Sequence, residues 1–192
     1  MKRILPIFLL LVTFFVACNP SVKTEQISET TNQAKVKSVS TPTDPLVIKM
    51  QELGALQPLG LDELAALLPQ SLQGIKRSGL SMSNNMGYAT AHADYEKNNK
   101  TDMRVTLYDC SGTAGLAWFR TSYASRLKNA STNENGYTKT IDLNGAKAIE
   151  DYDNKSKVTS ITYLSRGRIL VNISSRNMDP EVVKEAAGQI GH

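Results

Sequence analysis

Hydrophobic residues recur every three or four positions in four parts of the chain, which is the spacing of one helix face. The first part follows Asp44 and Pro45, an N-cap and a proline at the first helical position, and places Leu46, Met50 and Leu53 on one side. A predicted helix therefore begins there. The four predicted helices cover residues near 45–53, 61–68, 113–128 and 179–190.

Between these helices, hydrophobic and polar positions alternate as they do along half-buried strands. The Asn-Gly pair at 144–145 is the strongest hairpin signal, because a type I′ turn needs positive φ at both central residues. Pairing outward from this turn places Lys139 opposite Glu150 and Tyr137 opposite Tyr152. Such cross-strand pairs each add roughly 0.2–1 kcal/mol, so this register is favoured. The predicted strands lie near residues 75–82, 86–96, 103–110, 137–143, 146–153, 158–165 and 168–175.

This order of elements predicts one α+β domain over residues 44–192, with a mostly antiparallel sheet of about six to seven strands. We expect its helices to cover one face of the sheet. The arrangement resembles the Mog1/PsbP-like folds. The stretch LDELAALLP, followed by GIKRSG, is similar to the opening of some uncharacterised exported bacterial proteins. Neither resemblance implies any functional residue.

The chain begins MKRILPIFLLLVTFFVAC, which is a basic start, an apolar run and a cysteine. The run at 5–17 has the length of a signal-peptide core and is too short to span a bilayer, which needs ~20 apolar residues. Residues 15–18, Phe-Val-Ala-Cys, resemble the lipobox of bacterial lipoproteins. The resemblance implies that residues 1–17 are a signal peptide and that Cys18 becomes lipidated, with palmitate among its acyl chains. An ordinary secretory signal with a chance cysteine is the alternative.

The residues after Cys18 predict how the domain is held at the membrane. Asn19 stands where some bacteria use an aspartate to retain lipoproteins in the inner membrane, so we expect the outer membrane, facing the periplasm. Residues 19–43 contain no aromatic side chain and are dominated by Ser, Thr, Asn, Gln and Lys. Such a segment cannot bury enough surface to offset its ordering entropy. We therefore predict a lipidated cysteine and flexible tether over residues 18–43.

Charge argues against a nucleic-acid-binding protein, and cysteine content argues against a disulfide-stabilised one. The chain carries +4 at pH 7, and removal of residues 1–17 with Lys2 and Arg3 leaves +2, too little to indicate a nucleic-acid partner. There are two cysteines. Lipidation of Cys18 would leave Cys110 alone, so no intramolecular disulfide is expected.

Cys110 is the candidate nucleophile, because it lies between a predicted strand and a predicted helix whose N-terminus would favour a thiolate. A nucleophile needs a base, and the two histidines are His92 and the terminal His192. The predicted strand pairing places His92 roughly 13 Å away along the strand. An inert, buried thiol is therefore the favoured interpretation. Acidic candidates for an enzyme are Glu150, Asp151 and Asp153.

Two similar stretches, DYEKNNK at 94–100 and DYDNKSK at 151–157, suggest a cation site at first sight. Compared with an EF-hand loop, the first has Asn99 where glycine is needed and Val105 where a bidentate glutamate is needed. The second has Thr162 at the glutamate position. We therefore predict hairpin ends, and no metal or cofactor.

The third predicted helix offers a candidate ligand-binding stripe, formed by Leu116, Phe119 and Tyr123, with Trp118 beside it. We expect the aromatic side chains mainly to pack in the core. Three hypotheses remain open: a non-enzymatic binding or structural lipoprotein with an envelope-protein partner, a carrier of a lipid or other apolar ligand held by this stripe, and an enzyme using Cys110 or the acidic residues. The membrane, through acylated Cys18, is the common partner of all three. The sequence does not predict an oligomeric state.

Overall fold

A nine-stranded antiparallel sheet lies at the centre of the computed structural model, which describes residues 44–97 and 100–190. The strands are β1 Ser71–Leu72, β2 Ile75–Ser83, β3 Thr90–Lys97, β4 Lys100–Asp109, β5 Ser131–Asn133, β6 Gly136–Leu143, β7 Ala146–Asp153, β8 Val158–Ser165 and β9 Ile169–Arg176. The helices are α1 Pro45–Ala55, α2 Leu61–Ala65, α3 Gly112–Phe119 and α4 Pro180–Ala187. Cys18, the predicted signal peptide and the tether lie outside the described residues.

Two of the helices begin where cap chemistry predicts. Asp44 accepts a hydrogen bond from the Leu46 N–H at 2.8 Å, and Asp179 accepts one from the Glu181 N–H at 2.9 Å. Each cap satisfies an amide that has no partner within the helix. A proline follows each cap in the first turn, which confirms the predicted starts of α1 and α4.

The third helix is shorter than predicted. It ends as an α-helix at Phe119 and continues as a π-helical turn over Arg120–Ala124. The Thr121 hydroxyl donates to the Ala117 carbonyl at 3.1 Å, and the Ser125 hydroxyl donates to the Thr121 carbonyl at 2.9 Å. Such side-chain bonds compete with the backbone ladder. The regular pattern of hydrophobic residues therefore continues beyond the regular helix.

The strand order is β1-β2-β3-β4-β9-β8-β7-β6-β5, and every neighbouring pair is antiparallel. The α+β class and the single antiparallel sheet are confirmed, but the count of six to seven strands is wrong. The two additional strands, β1 and β5, contain two and three residues. Alternation cannot be recognised over so few positions, and both strands exist only as edge partners of longer neighbours.

The β6–β7 hairpin has the predicted register. Lys139 pairs with Glu150, and Tyr137 pairs with Tyr152. Residues 144 and 145 have φ values of +53° and +82°, as the type I′ turn requires. Local turn chemistry therefore determines the pairing of these strands.

Helices cover both faces of the sheet, whereas we expected them on one. On the first face, α2 and α4 bury Leu64 and Val183 against strand residues that include Val171. On the second face, α1 and α3 pack with Leu170 in a separate cluster. Leu170 and Val171 are neighbours on β9 and are both about 1% exposed. A continuous apolar run in a central strand needs cover on both sides, which accounts for the difference.

The second face is covered only in part. Beyond the cluster of α1 and α3, several strand positions on this face are polar and only partly buried. They include Asp151 on β7, Ser160 on β8, and Asn172 and Ser174 on β9. The boundary between the packed and the polar parts of this face is where the candidate site lies.

Candidate functional site

A cavity of about 410 Å³ lies where α3 and the turn that follows it meet the second face of the sheet. This volume is within the range of pockets that bind small molecules. We call it the α3 cavity. Its lining includes Tyr108, Trp118, Ser122, Arg126, Thr162 and Asn172.

One wall of the α3 cavity is aromatic and held in place by ring contacts. The rings of Trp118 and Tyr108 have centroids 5.2 Å apart, tilted by 39°. The ring of Tyr88 stacks on Trp118 at 5.7 Å, and Tyr88 itself is buried. Burial raises the pKa of the Tyr108 hydroxyl, so this side chain is neutral across the physiological range. The wall is therefore preorganised and uncharged.

Trp118 also carries an unsatisfied hydrogen-bond donor. Its Nε1 atom is buried and has no hydrogen-bond partner among the residues that the structure describes. A buried donor left without an acceptor costs about 1–3 kcal/mol, and most such groups in folded proteins have a partner. Because this atom is inaccessible to solvent, a bound molecule could accept from it only if the indole ring or a neighbouring side chain moved.

The floor of the cavity is polar. The Asn172 side-chain amide donates to the Thr162 hydroxyl at 2.9 Å, across neighbouring strands β9 and β8. This bond uses one amide hydrogen of Asn172. The Asn172 side-chain oxygen accepts no hydrogen bond within the described part of the chain, so both a donor and an acceptor remain for a ligand.

One end of the cavity is closed by an ion pair. Arg126 Nη2 lies 2.7 and 2.8 Å from the two carboxylate oxygens of Asp151. Asp151 also accepts from the Thr138 hydroxyl at 2.7 Å. A second, more open cavity of about 540 Å³ lies beyond Asp151 and includes Thr138 and Ser160. The carboxylate compensates the Arg126 charge, so the α3 cavity has no strong net charge.

The predicted ligand-binding stripe belongs to the packed core next to this cavity. Phe119 is fully buried and its ring lies 5.5 Å from that of Tyr123. Tyr123 donates its hydroxyl hydrogen to the Lys147 carbonyl, and Leu116 packs against the same cluster from a partly buried position. Burial raises the pKa of Tyr123 to about 12. The side of α3 that faces the cavity is the neighbouring one, which carries Trp118.

Cys110 is buried between the end of β4 and the start of α3, and burial raises the pKa of its thiol to about 12. Its sulfur lies 3.8 Å from the Tyr108 carbonyl oxygen. The helix N-terminus was expected to favour a thiolate, but desolvation outweighs it. His92 is exposed and contacts the Ser81 hydroxyl at 3.0 Å. The geometry fits the inert thiol that we favoured.

The three acidic candidates lie in three different environments. Glu150 is buried on the first face, where its Oε1 accepts from Tyr137 at 2.6 Å and lies 2.9 Å from the Lys139 ammonium. Asp151 points to the second face, in the pair with Arg126. Asp153 is exposed, and hydrogen bonds from Ser156 lower the pKa of its carboxyl. The fold does not bring these carboxyl groups together.

No group of three or more His, Cys, Asp or Glu side chains that could hold a metal ion occurs over residues 44–97 and 100–190.

A buried charge cluster around Asp109 was not predicted. Arg168 Nη2 lies 3.1 and 2.9 Å from the two carboxylate oxygens of Asp109. The Leu59 N–H and the Ser111 hydroxyl donate to the same carboxylate at 2.6 and 2.8 Å. The cluster joins the end of β4, the start of β9 and the segment between α1 and α2. Leu59 and Arg168 are 50 and 59 residues from Asp109 in the sequence, so no local pattern reveals the cluster.

Comparisons with known proteins give little further information. No protein-family model matches the sequence, and no curated protein matches it. One solved structure, described as a GTP binding regulator from Thermotoga maritima, is similar with a TM-score of 0.40 and 11% sequence identity. The match covers 70% of this chain and 91% of that chain. Within the described residues, none of the helices is long and apolar enough to cross a membrane.

Proposed function

We propose that this chain is a membrane-anchored lipoprotein of the bacterial cell envelope with a non-enzymatic binding role. Acylated Cys18 holds it to the membrane, at the periplasmic face of the outer membrane, and residues 19–43 connect the domain to this anchor as a tether. Several acyl chains support stable anchoring, since each buried methylene contributes about 0.8 kcal/mol. The domain binds its ligand in the α3 cavity.

The observation that carries the binding role is the composition of that cavity. A rigid aromatic wall and a polar floor meet around one space of ligand size. Pockets that bind small molecules combine apolar walls with a few placed polar groups in this way. The same arrangement supports a binding role better than a catalytic one, because Cys110 and Glu150 are buried away from it.

The anchor is tested by growing cells that express the full chain with radioactive palmitate. We expect label in the wild-type protein and recovery of the protein with outer membranes, and loss of both in the Cys18→Ala variant. Equal labelling of the two proteins, or an unlabelled wild type, contradicts the lipoprotein proposal.

The binding role is tested by the emission of Trp118, which is the one tryptophan in the sequence. We expect a saturable change in its emission when the full-length protein is titrated with a ligand that enters the α3 cavity. A panel of neutral sugars, oleate and short peptides covers the main ligand classes. An emission that no member of the panel changes contradicts a binding role at this cavity.

The hypothesis of an apolar-ligand carrier is tested separately, by measuring how oleate from the same panel binds to two variants. A lipid held by Leu116, Phe119 and Tyr123 must displace side chains that are packed in the core. Leu116→Ala would then change oleate binding, whereas the Asn172→Ala variant would leave it unchanged. If Asn172→Ala changes oleate binding and Leu116→Ala does not, oleate binds in the α3 cavity.

A further inference from the structure

The polar groups around the α3 cavity favour one class of ligand. Asn172 offers both a donor and an acceptor, and Ser122 adds a hydroxyl, which can do either. A ligand that satisfies such a mixed set must itself carry groups that both donate and accept. Hydroxyl groups have this property.

The charges around the cavity argue against an ionised ligand. Arg126 is the cationic side chain in the lining, and both oxygens of Asp151 lie within 2.8 Å of its Nη2. An anionic ligand would have to compete with this carboxylate and approach its negative charge. A cationic ligand would meet the guanidinium. The cavity is therefore best suited to an uncharged molecule.

The aromatic wall adds a requirement for an apolar surface on the same molecule. Trp118 and Tyr108 present flat rings, and Leu170 lies beside them in the lining. A sugar ring has C–H groups on one face and hydroxyl groups around its edge, so it meets both requirements together. A simple fatty acyl chain would leave the polar floor unsatisfied.

We propose that the α3 cavity binds an uncharged sugar ring of a glycan, with Trp118 and Tyr108 against the face of the ring and Asn172 bonded to its hydroxyl groups. This inference rests on the proposed binding role and specifies its ligand class. The cavity volume of about 410 Å³ admits one or two such rings.

The test is a titration of full-length protein, dissolved in a detergent without a sugar head group, with maltose, cellobiose and N,N′-diacetylchitobiose. We expect a saturable change in Trp118 emission with at least one of them, and about tenfold weaker binding of glucuronic acid than of glucose. The three disaccharides distinguish a plain glucan from an N-acetylated glycan. No saturable change with any of them, or tighter binding of the acidic sugar, overturns the proposal.

Two matched variants locate the binding. Asn172→Ala should weaken binding about tenfold or more, whereas Ser174→Ala, two residues further along the same strand and on the same face, should leave it unchanged. Trp118→Phe keeps an aromatic ring but reduces the flat surface of the wall, and calorimetry should show weaker binding for it as well. Binding that survives both Asn172→Ala and Trp118→Phe overturns the assignment. If oleate changes Trp118 emission and no sugar does, the binding role stands and the sugar ligand is wrong.

Discussion

At Asp109, burial and hydrogen bonding act on the same carboxyl group in opposite directions. Burial alone would raise its pKa, but hydrogen bonds from Arg168, the Leu59 N–H and Ser111, together with the Arg168 charge, outweigh burial and lower the pKa. Because the folded pKa is the lower one, the carboxylate stabilises the fold above the unfolded pKa of about 4. This contribution is lost as the pH falls through the folded value.

Replacing this carboxylate should therefore destabilise the domain in a pH-dependent way. We expect Asp109→Asn to lower the free energy of unfolding at pH 7 by about 2 kcal/mol, because it removes the buried carboxylate that pairs with the partly buried guanidinium of Arg168. Urea unfolding measures the change, and the loss of stability below pH 4 should be smaller in the variant. Glu52→Gln, which removes an exposed ion pair with Lys49, should change stability by less than about 0.5 kcal/mol. Equal effects of the two substitutions would contradict the role of burial.

The buried thiol gives a second prediction at this scale. In the Cys18→Ala protein, Cys110 is the remaining cysteine, and its pKa of about 12 leaves almost no thiolate at neutral pH. We expect no reaction with iodoacetamide in native protein and about one equivalent of label in 6 M guanidinium chloride, measured by mass spectrometry. Rapid labelling of the native protein would instead support an enzyme that uses Cys110.

At the scale of elements, α3 approaches the end of β4 very closely. A Cβ atom at Gly115 would lie 2.5 Å from the Asp109 carbonyl oxygen and 2.6 Å from the Cys110 carbonyl carbon. Contacts this short involve backbone atoms, which cannot turn away as a flexible side chain can. Gly115 is therefore the residue that allows α3 to begin against the sheet.

Two glycine-to-alanine substitutions test this approach. Gly115→Ala should lower the free energy of unfolding by roughly 1–3 kcal/mol, because the helix must shift and the overpacked site is strained. Gly54→Ala in α1 is the control, since its Cβ would meet only the Leu116 side chain, at an ordinary 3.5 Å. There the higher helix propensity of alanine should raise stability by up to about 1 kcal/mol. Thermal unfolding of both variants measures the difference, and a stabilising Gly115→Ala would disprove the close approach.

The helices and strands also show which parts of the fold are determined by residues close together in the sequence. The pairing of Lys139 with Glu150 follows from turn residues a few positions away, so it was predictable. The edge strands β1 and β5 depend on neighbours formed by other segments, so they were not. The site around Trp118 was predictable only in part. The place of this residue beside the apolar stripe of α3 was visible, but the cavity next to it requires Asn172 and Arg126, which come from elsewhere in the chain.

At the scale of the whole molecule, helices lie on both sides of one sheet. The apolar stripe of a helix is compatible with either face, so the sequence of α2 or α4 does not indicate which face it covers. Strand β9, where Leu170 and Val171 both need burial, requires cover on both faces of the sheet. The same arrangement leaves the polar part of the second face uncovered, beside the α3 cavity.

Because β9 is the central strand of the sheet, the fold depends on the last part of the chain. We expect a chain that ends at Ser165, before β9, to show no cooperative unfolding transition and no dispersed amide spectrum by NMR. Without β9, both β4 and β8 lack a neighbour, and the two halves of the sheet are not joined. A cooperative transition in this truncated chain would contradict the prediction.

The position of β9 between β4 and β8 has a consequence for how the protein is made. Strand β4 pairs with β3, which precedes it, and with β9, which is synthesised much later. Pairing between such distant segments is slow because a long loop must close first. The sheet cannot be completed while the ribosome is still translating the first eight strands. If the chain is exported as proposed, the two sets of strands, β1–β4 and β5–β8, can be joined into one sheet only after nearly all of the domain has been made.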